Sequence, residues 1–356
     1  MSATRRTAVT VAVIGVALLA ARALLPGWVR DYVNGVLERI DGYSGSVRDV
    51  DLSLLRGAYR IEGLEIRKDG AKVSVPLLTT DTIDLSVEWL ALFRGSLVGE
   101  VELDQPKLNF VAGPSPAQTQ TGEGVDWARQ LEELFPFTLD RVAVREGELH
   151  FRAPYRKPPV DVALHDVTIE AQNLTNSRDL SAEHPAQVSF AARAQRSGRA
   201  AAELEIDPFA ERPDFKLKLE VVAIQLAELN DFLRAYAGVD AQRGRFDLVS
   251  EVVSHEGRFD GYVEPLLRNV DVLKVEEEID EQGFFATLWE GLVGTAAEVL
   301  ENQPEEQLAS RIPLRGSYEE PEIGVLGALV SLFENGYVEA LRPRIDLLKE
   351  RSRRGG

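Results

Sequence analysis

Phe215-Lys216-Leu217-Lys218-Leu219-Glu220-Val221 is the stretch on which the fold turns. Apolar residues stand at every second position, with Lys216, Lys218 and Glu220 between them. In an extended chain successive side chains point to opposite faces, so this alternation specifies a strand with one face buried and one in water. Working outward, similar strand signals recur. Upstream they fall at Val47–Leu52, Arg60–Ile66, Ile83–Val87, Leu97–Leu103, Lys107–Val111, Leu139–Val144, Glu148–Arg152, Val160–Ala171, Gln187–Ala194 and Ala201–Ile206. Downstream they fall at Arg245–Val253 and Gly257–Val263. Strand, turn and strand follow closely, without the regular strand–helix alternation of a doubly wound parallel sheet. No fixed-period repeat marks a propeller or solenoid. The pattern predicts a mainly β (α+β) fold, a long antiparallel sheet interrupted by a few helices.

Helical spacing replaces this pattern in four places. Arg30–Ile40 places Val33, Val36, Leu37 and Ile40 on one stripe, and Trp127–Phe135 and Leu226–Tyr236 read as short helices. The last quarter reads as helical. Phe285, Leu288, Trp289, Leu292 and Val293 form one apolar stripe, with Glu290, Glu298 and Glu301 opposite. An acidic outer face suits poorly to anionic lipid, so this helix is expected to cap the sheet or act as a lid over it. A second amphipathic stretch runs from Leu326 to Leu341, followed by a basic tail that suits either headgroups or a solvated end. The expected segments are 1–27, 28–112 (N-terminal β segment), 113–124 (flexible loop, GPSPAQTQTGEG), 125–275 (central β-rich domain) and 276–356 (helical segment with basic tail).

Thr7–Leu25 (TAVTVAVIGVALLAARALL) is apolar apart from Arg22, close to the length that spans a bilayer. Val9, Val11, Val13, Ile14, Val16, Leu18 and Leu19 are its anchor candidates. Arg5 and Arg6 precede it, so the positive-inside rule leaves the N-terminus in the cytoplasm and the bulk of the chain on the far side. Trp28 and Tyr32 suit the far interface. Two other readings stay open: a cleaved signal peptide ending at Ala21-Arg22-Ala23, and a buried core helix.

The formal net charge of -18 opposes general nucleic-acid binding, which draws its affinity from Lys and Arg. With no cysteine, disulfides, thiolate metal sites and cysteine nucleophiles are excluded. No phosphate loop, nucleophile elbow or zinc-protease helix occurs. His150, His165, His184 and His255 have no metal-site spacing and read as surface or packing residues. The acidic run Glu276–Glu281 lacks the ligand pattern of a calcium loop. Asp49 and Asp51 share a strand face without a general-acid partner. The expectation is a non-enzyme, with no cofactor and no metal.

Several segments together resemble one family. They are Gly57–Ile66, Gly99–Phe110 (a "leucine, acid, x, proline, x, leucine" hairpin), Val144–Phe151, Asn173–Asn176, Gly257–Leu267 (GRFDGYVEPLL) and Asn335–Pro343. In that order they resemble AsmA-like bacterial envelope proteins carrying the domain of unknown function 748. The resemblance implies a single-pass inner-membrane anchor and a periplasmic curved sheet with an apolar inner face. It also implies a role in envelope maintenance, with phospholipid as ligand. The alternative is an anchored scaffold that recruits envelope protein partners and has no lipid site.

Overall fold

The computed structural model describes residues 13, 24–53, 58–87, 98–122, 138–174, 185–207, 214–274, 307–309 and 311–317. Helix α1 (24–37) precedes β1 (Tyr43–Ser46), β2 (Asp49–Ser53), β3 (Ala58–Lys68), β4 (Leu78–Val87), β5 (Val98–Asp104) and β6 (Lys107–Val111). There follow β7 (Thr138–Ala153), β8 (Val160–Gln172), β9 (Ala186–Ala194), β10 (Gly198–Asp207) and β11 (Asp214–Gln225). A 3-10 turn (Leu226–Leu229) leads into helix α2 (Asn230–Ala237), and the chain ends its described part in β12 (Val239–His255), β13 (Arg258–Lys274), β14 (Gln307–Ala309) and β15 (Ile312–Ser317).

All fifteen strands form one sheet, whose path visits twelve of them in chain order. The remaining strands continue neighbours already on the path. β1 and β2 share one register on β3, with Tyr43 opposite Lys68 and Asp49 opposite Glu62. β14 and β15 do the same on β13, and β5 and β6 lie end to end between β4 and β7. The stretch 99–110 is therefore one interrupted strand and not the hairpin its sequence suggests. Its break is Gln105, held at φ 50 ahead of Pro106. The left-handed residue interrupts the ladder without reversing the chain, and the registers on β4 and β7 continue unshifted across it.

The sheet is mixed, which corrects the expectation of an antiparallel one. β5 and β6 both run parallel to β7. Side-chain periodicity carries no strand direction. The long 112–137 connection meets the crossover length that a parallel pair requires. A second correction concerns 276–356. This segment is not wholly helical, because β14 and β15 pair with β13. Leu314, fully buried, fixes β15 to the sheet.

Segment 113–122 has the composition of a loop and lies pinned to the sheet. Gln120 pairs with Val111 through reciprocal backbone bonds of 2.7 Å, and its buried side chain donates to the Asn109 carbonyl at 3.1 Å. Lys68 Nζ donates to the carbonyls of Pro116 and Thr119.

Among the described residues, two helices cover parts of the apolar face. α1 and the turn that follows it place Val33, Leu37 and Ile40 against Ile61, Ile66 and Leu85. α2 is placed where β9 to β11 end and the longer β8 and β12 continue. Its Tyr236 packs on Ala153 and Val160, and its Leu233 joins Val239, Ala241 and Leu267. Gly238, left-handed at φ 62, donates its N–H to the Arg234 carbonyl and stops the helix.

Candidate functional site

The site is a face of the sheet, and the strand registers assemble it. One row of directly paired positions begins Leu52, Tyr59, Leu85, Val101, Val142, Ala171. It continues Val188, Leu204, Leu217, Val252, Gly261, Leu314. Its one polar group is the Tyr59 hydroxyl, and every other position in it is apolar. The neighbouring row, two residues along each strand, begins Val50, Ile61, Ile83, Leu103, Val144, Ile169. It continues Phe190, Ala202, Leu219, Ser250, Val263. Its one hydroxyl, Ser250 Oγ, is buried and donates to the Tyr262 carbonyl at 2.7 Å.

Burial varies along these rows. Leu85 and Val101 at one end are buried beneath α1, and Val252 and Leu314 are buried at the other. Between them Val142, Val144, Ile169, Val188, Phe190 and Leu204 are only half-buried. The middle of the face is thus a strip of large apolar side chains with incomplete cover.

The opposite face is an ion-paired surface. Arg60 pairs with Asp84 at 2.6 Å, Arg145 with Glu102, Arg141 with Glu170 at 2.8 Å and Lys216 with Glu205 at 3.2 Å. At this exposure such pairs add little stability individually. Their arrangement keeps this face in water.

Among the histidines, His150 is buried on this polar face. Its Nδ1 lies 2.7 Å from Asp161 Oδ1 and its Nε2 3.2 Å from Glu148 Oε2. Lys107 approaches Glu148 at 3.2 Å and Arg152 approaches Asp161 at 3.4 Å, so the group ties β6, β7 and β8 together. Burial alone would raise the Glu148 carboxyl. The hydrogen bonds from His150 and Lys107 outweigh it and hold that carboxyl below its ordinary range. His165 meets the His150 ring edge-on at 5.8 Å, and exposed His255 lies 2.9 Å from Asp214. Among the described residues no group of three or more His, Cys, Asp or Glu is arranged to hold a metal.

Among the described residues, Asp247 is the most deeply buried carboxylate of the polar face. It accepts the Ala223 N–H at 2.6 Å and the Arg245 guanidinium at 2.8 Å, with Arg268 at 3.7 Å. Burial opposes its charge, but these donors prevail and set its carboxyl below the ordinary range. Nothing in its sequence surroundings singles it out. It matters because Ala223, at φ 65, bulges out of β11 beside it.

Of the anchor candidates, Val13 alone is described, as a helical residue 62% exposed. Val9, Val11, Ile14, Val16, Leu18 and Leu19 lie outside the described residues. So do the lid candidates Phe285, Leu288, Trp289, Leu292 and Val293, together with His184 and the acidic run 276–281. Among the described residues no helix is long and apolar enough to cross a membrane. In comparison with known proteins, no family model matches the chain and no curated protein matches it.

Proposed function

We propose that this chain is a non-enzymatic, membrane-anchored protein of the bacterial envelope that holds phospholipid acyl chains against the middle of its apolar sheet face. The N-terminus lies in the cytoplasm, the apolar run 7–25 crosses the inner membrane, and the sheet occupies the periplasm. One observation carries the reading: two apolar rows cross the sheet from strand to strand and are incompletely covered in the middle. An apolar face of this extent must be covered by protein or hold an apolar ligand. The likeness to AsmA-like proteins supports the same reading. Support for a curved face comes from left-handed residues that lie at register shifts in β7, β8, β11 and β13: Glu146, Asp166, Ala223 and Asn269. Bulges bend a strand and increase its twist.

Mass spectrometry of lipid co-purified with the detergent-extracted full-length protein tests this. Wild type is expected to retain phospholipid, Val144→Glu and Phe190→Glu to lose it, and Ser189→Lys, on the polar face between Glu170 and Glu203, to keep it. A wild-type protein free of lipid would favour the scaffold reading. A reporter fused after Gly356 should be active in the periplasm, and cytoplasmic activity would overturn the orientation.

A further inference from the structure

Helix α1 is apolar on two sides, and the sheet uses only one of them. Val33, Val36, Leu37 and Ile40 are buried. Leu24, Trp28 and Tyr32 follow each other at i, i+4 and i+8, which places them on a second stripe of the same helix. They are 72%, 67% and 46% exposed, and the Trp28 and Tyr32 rings stack at 6.1 Å. Helical side chains lean toward the N-terminus. The Trp28 ring therefore lies over the turn nearest Leu25, where the apolar run 7–25 ends, and the Tyr32 ring over the turn that follows.

That position selects the occupant. The headgroup layer beyond each hydrocarbon boundary is about 5–7 Å deep. Three residues of helix advance about 4.5 Å, which brings Trp28 into this layer when Leu25 closes the span. Indole and phenol rings, apolar with a polar tip, favour that layer. We infer that the Leu24–Trp28–Tyr32 stripe crosses the headgroup layer of the bilayer, with Trp28 inside it and Tyr32, about 10.5 Å past Leu25 along the helix, at its aqueous rim, and that α1, clamped to the sheet by its other side, thereby holds the sheet at a fixed attitude to the membrane. The inference rests on the membrane-anchored reading above. It adds that there is no loose tether: the end of the apolar face covered by α1 stands at the membrane surface.

Because the chain has no cysteine, single cysteines give unique labelling sites in the full-length protein. Trp28→Cys, Tyr32→Cys, Glu38→Cys and Lys216→Cys, each carrying an environment-sensitive fluorophore, would be reconstituted in phosphatidylethanolamine–phosphatidylglycerol vesicles. Headgroup-spin-labelled lipid is expected to quench positions 28 and 32 at least threefold more than 38 and 216. Energy transfer from Lys216→Cys to acceptor lipid should give one narrow efficiency distribution. That distribution should broaden in a background carrying Trp28→Ala and Tyr32→Ala, with the thermal melt unchanged because both side chains are exposed. If 28 and 32 are as open to aqueous iodide as 38, in protein that resists a carbonate wash, the inference falls and the anchor stands. Blue-shifted emission without lipid quenching would put a protein on the stripe and also overturn it. Release by the wash would overturn both. An unchanged distribution in the double variant would overturn the fixed attitude.

Discussion

Asp247 shows how one residue sets the shape of a strand. Its carboxylate receives the N–H freed by the bulge at Ala223, and two arginines hold its charge in place. Asp247→Asn keeps the shape and removes the charge, and should cost about 1–3 kcal/mol at neutral pH. Because the folded carboxyl is lowered, its stabilisation is present above the ordinary carboxylate range near pH 4 and is lost as pH falls through the folded value. Urea titrations should therefore show wild type and Asp247→Asn converging below about pH 4. Ala223 itself sits in a conformation that costs an L-residue about 1 kcal/mol. Ala223→Gly should raise stability by about 0.5–1 kcal/mol, read as a higher urea midpoint with unchanged slope.

At the scale of elements, strands were legible where alternation ran unbroken, and illegible past each bulge. β11 shows its period as far as Val221. Beyond it Val222 and Ala223 break the parity and Ile224 returns to the apolar side. The 139–144 and 148–152 signals belong to one strand, β7, divided by left-handed Glu146. β14 and β15 escaped notice because three residues carry no period and Pro313 argues against a strand. Pro is tolerated there because the strand lies at the sheet edge. The core stripe of α1 was legible from spacing alone. Leu37→Ala should cost about 2–4 kcal/mol, whereas Glu38→Ala, on the exposed side, should stay within about 0.5 kcal/mol. Chemical denaturation of the two variants checks this, and equal effects would mean that α1 is packed differently.

On the scale of the molecule, the sequence offered one apolar face per strand but could not say that the faces align, since register depends on partners far along the chain. Alignment produces the rows, and their cover is uneven. Leu85 and Leu204 occupy the same row, yet Leu85 is buried and Leu204 half-buried. Leu85→Ala should cost about 3–4 kcal/mol and Leu204→Ala about 1–2 kcal/mol, because less surface returns to water in the second case. Thermal or urea unfolding would decide it, and equal costs would mean that the middle of the face is as well packed as its end. The order of strands in the sheet, nearly identical to their order in the chain, has a kinetic consequence. A polypeptide emerging N-terminus first presents each new strand to a partner that has already formed, so most ladders close over short loops at small entropic cost. Two junctions are exceptions: β14 returns to β13 only after residues 275–306, and β7 must reach back in parallel to β5 and β6 after the long 112–137 excursion. Assembly should pause at the β6–β7 junction, and until β7 docks, β5 and β6 present an open edge to any other extended chain in reach.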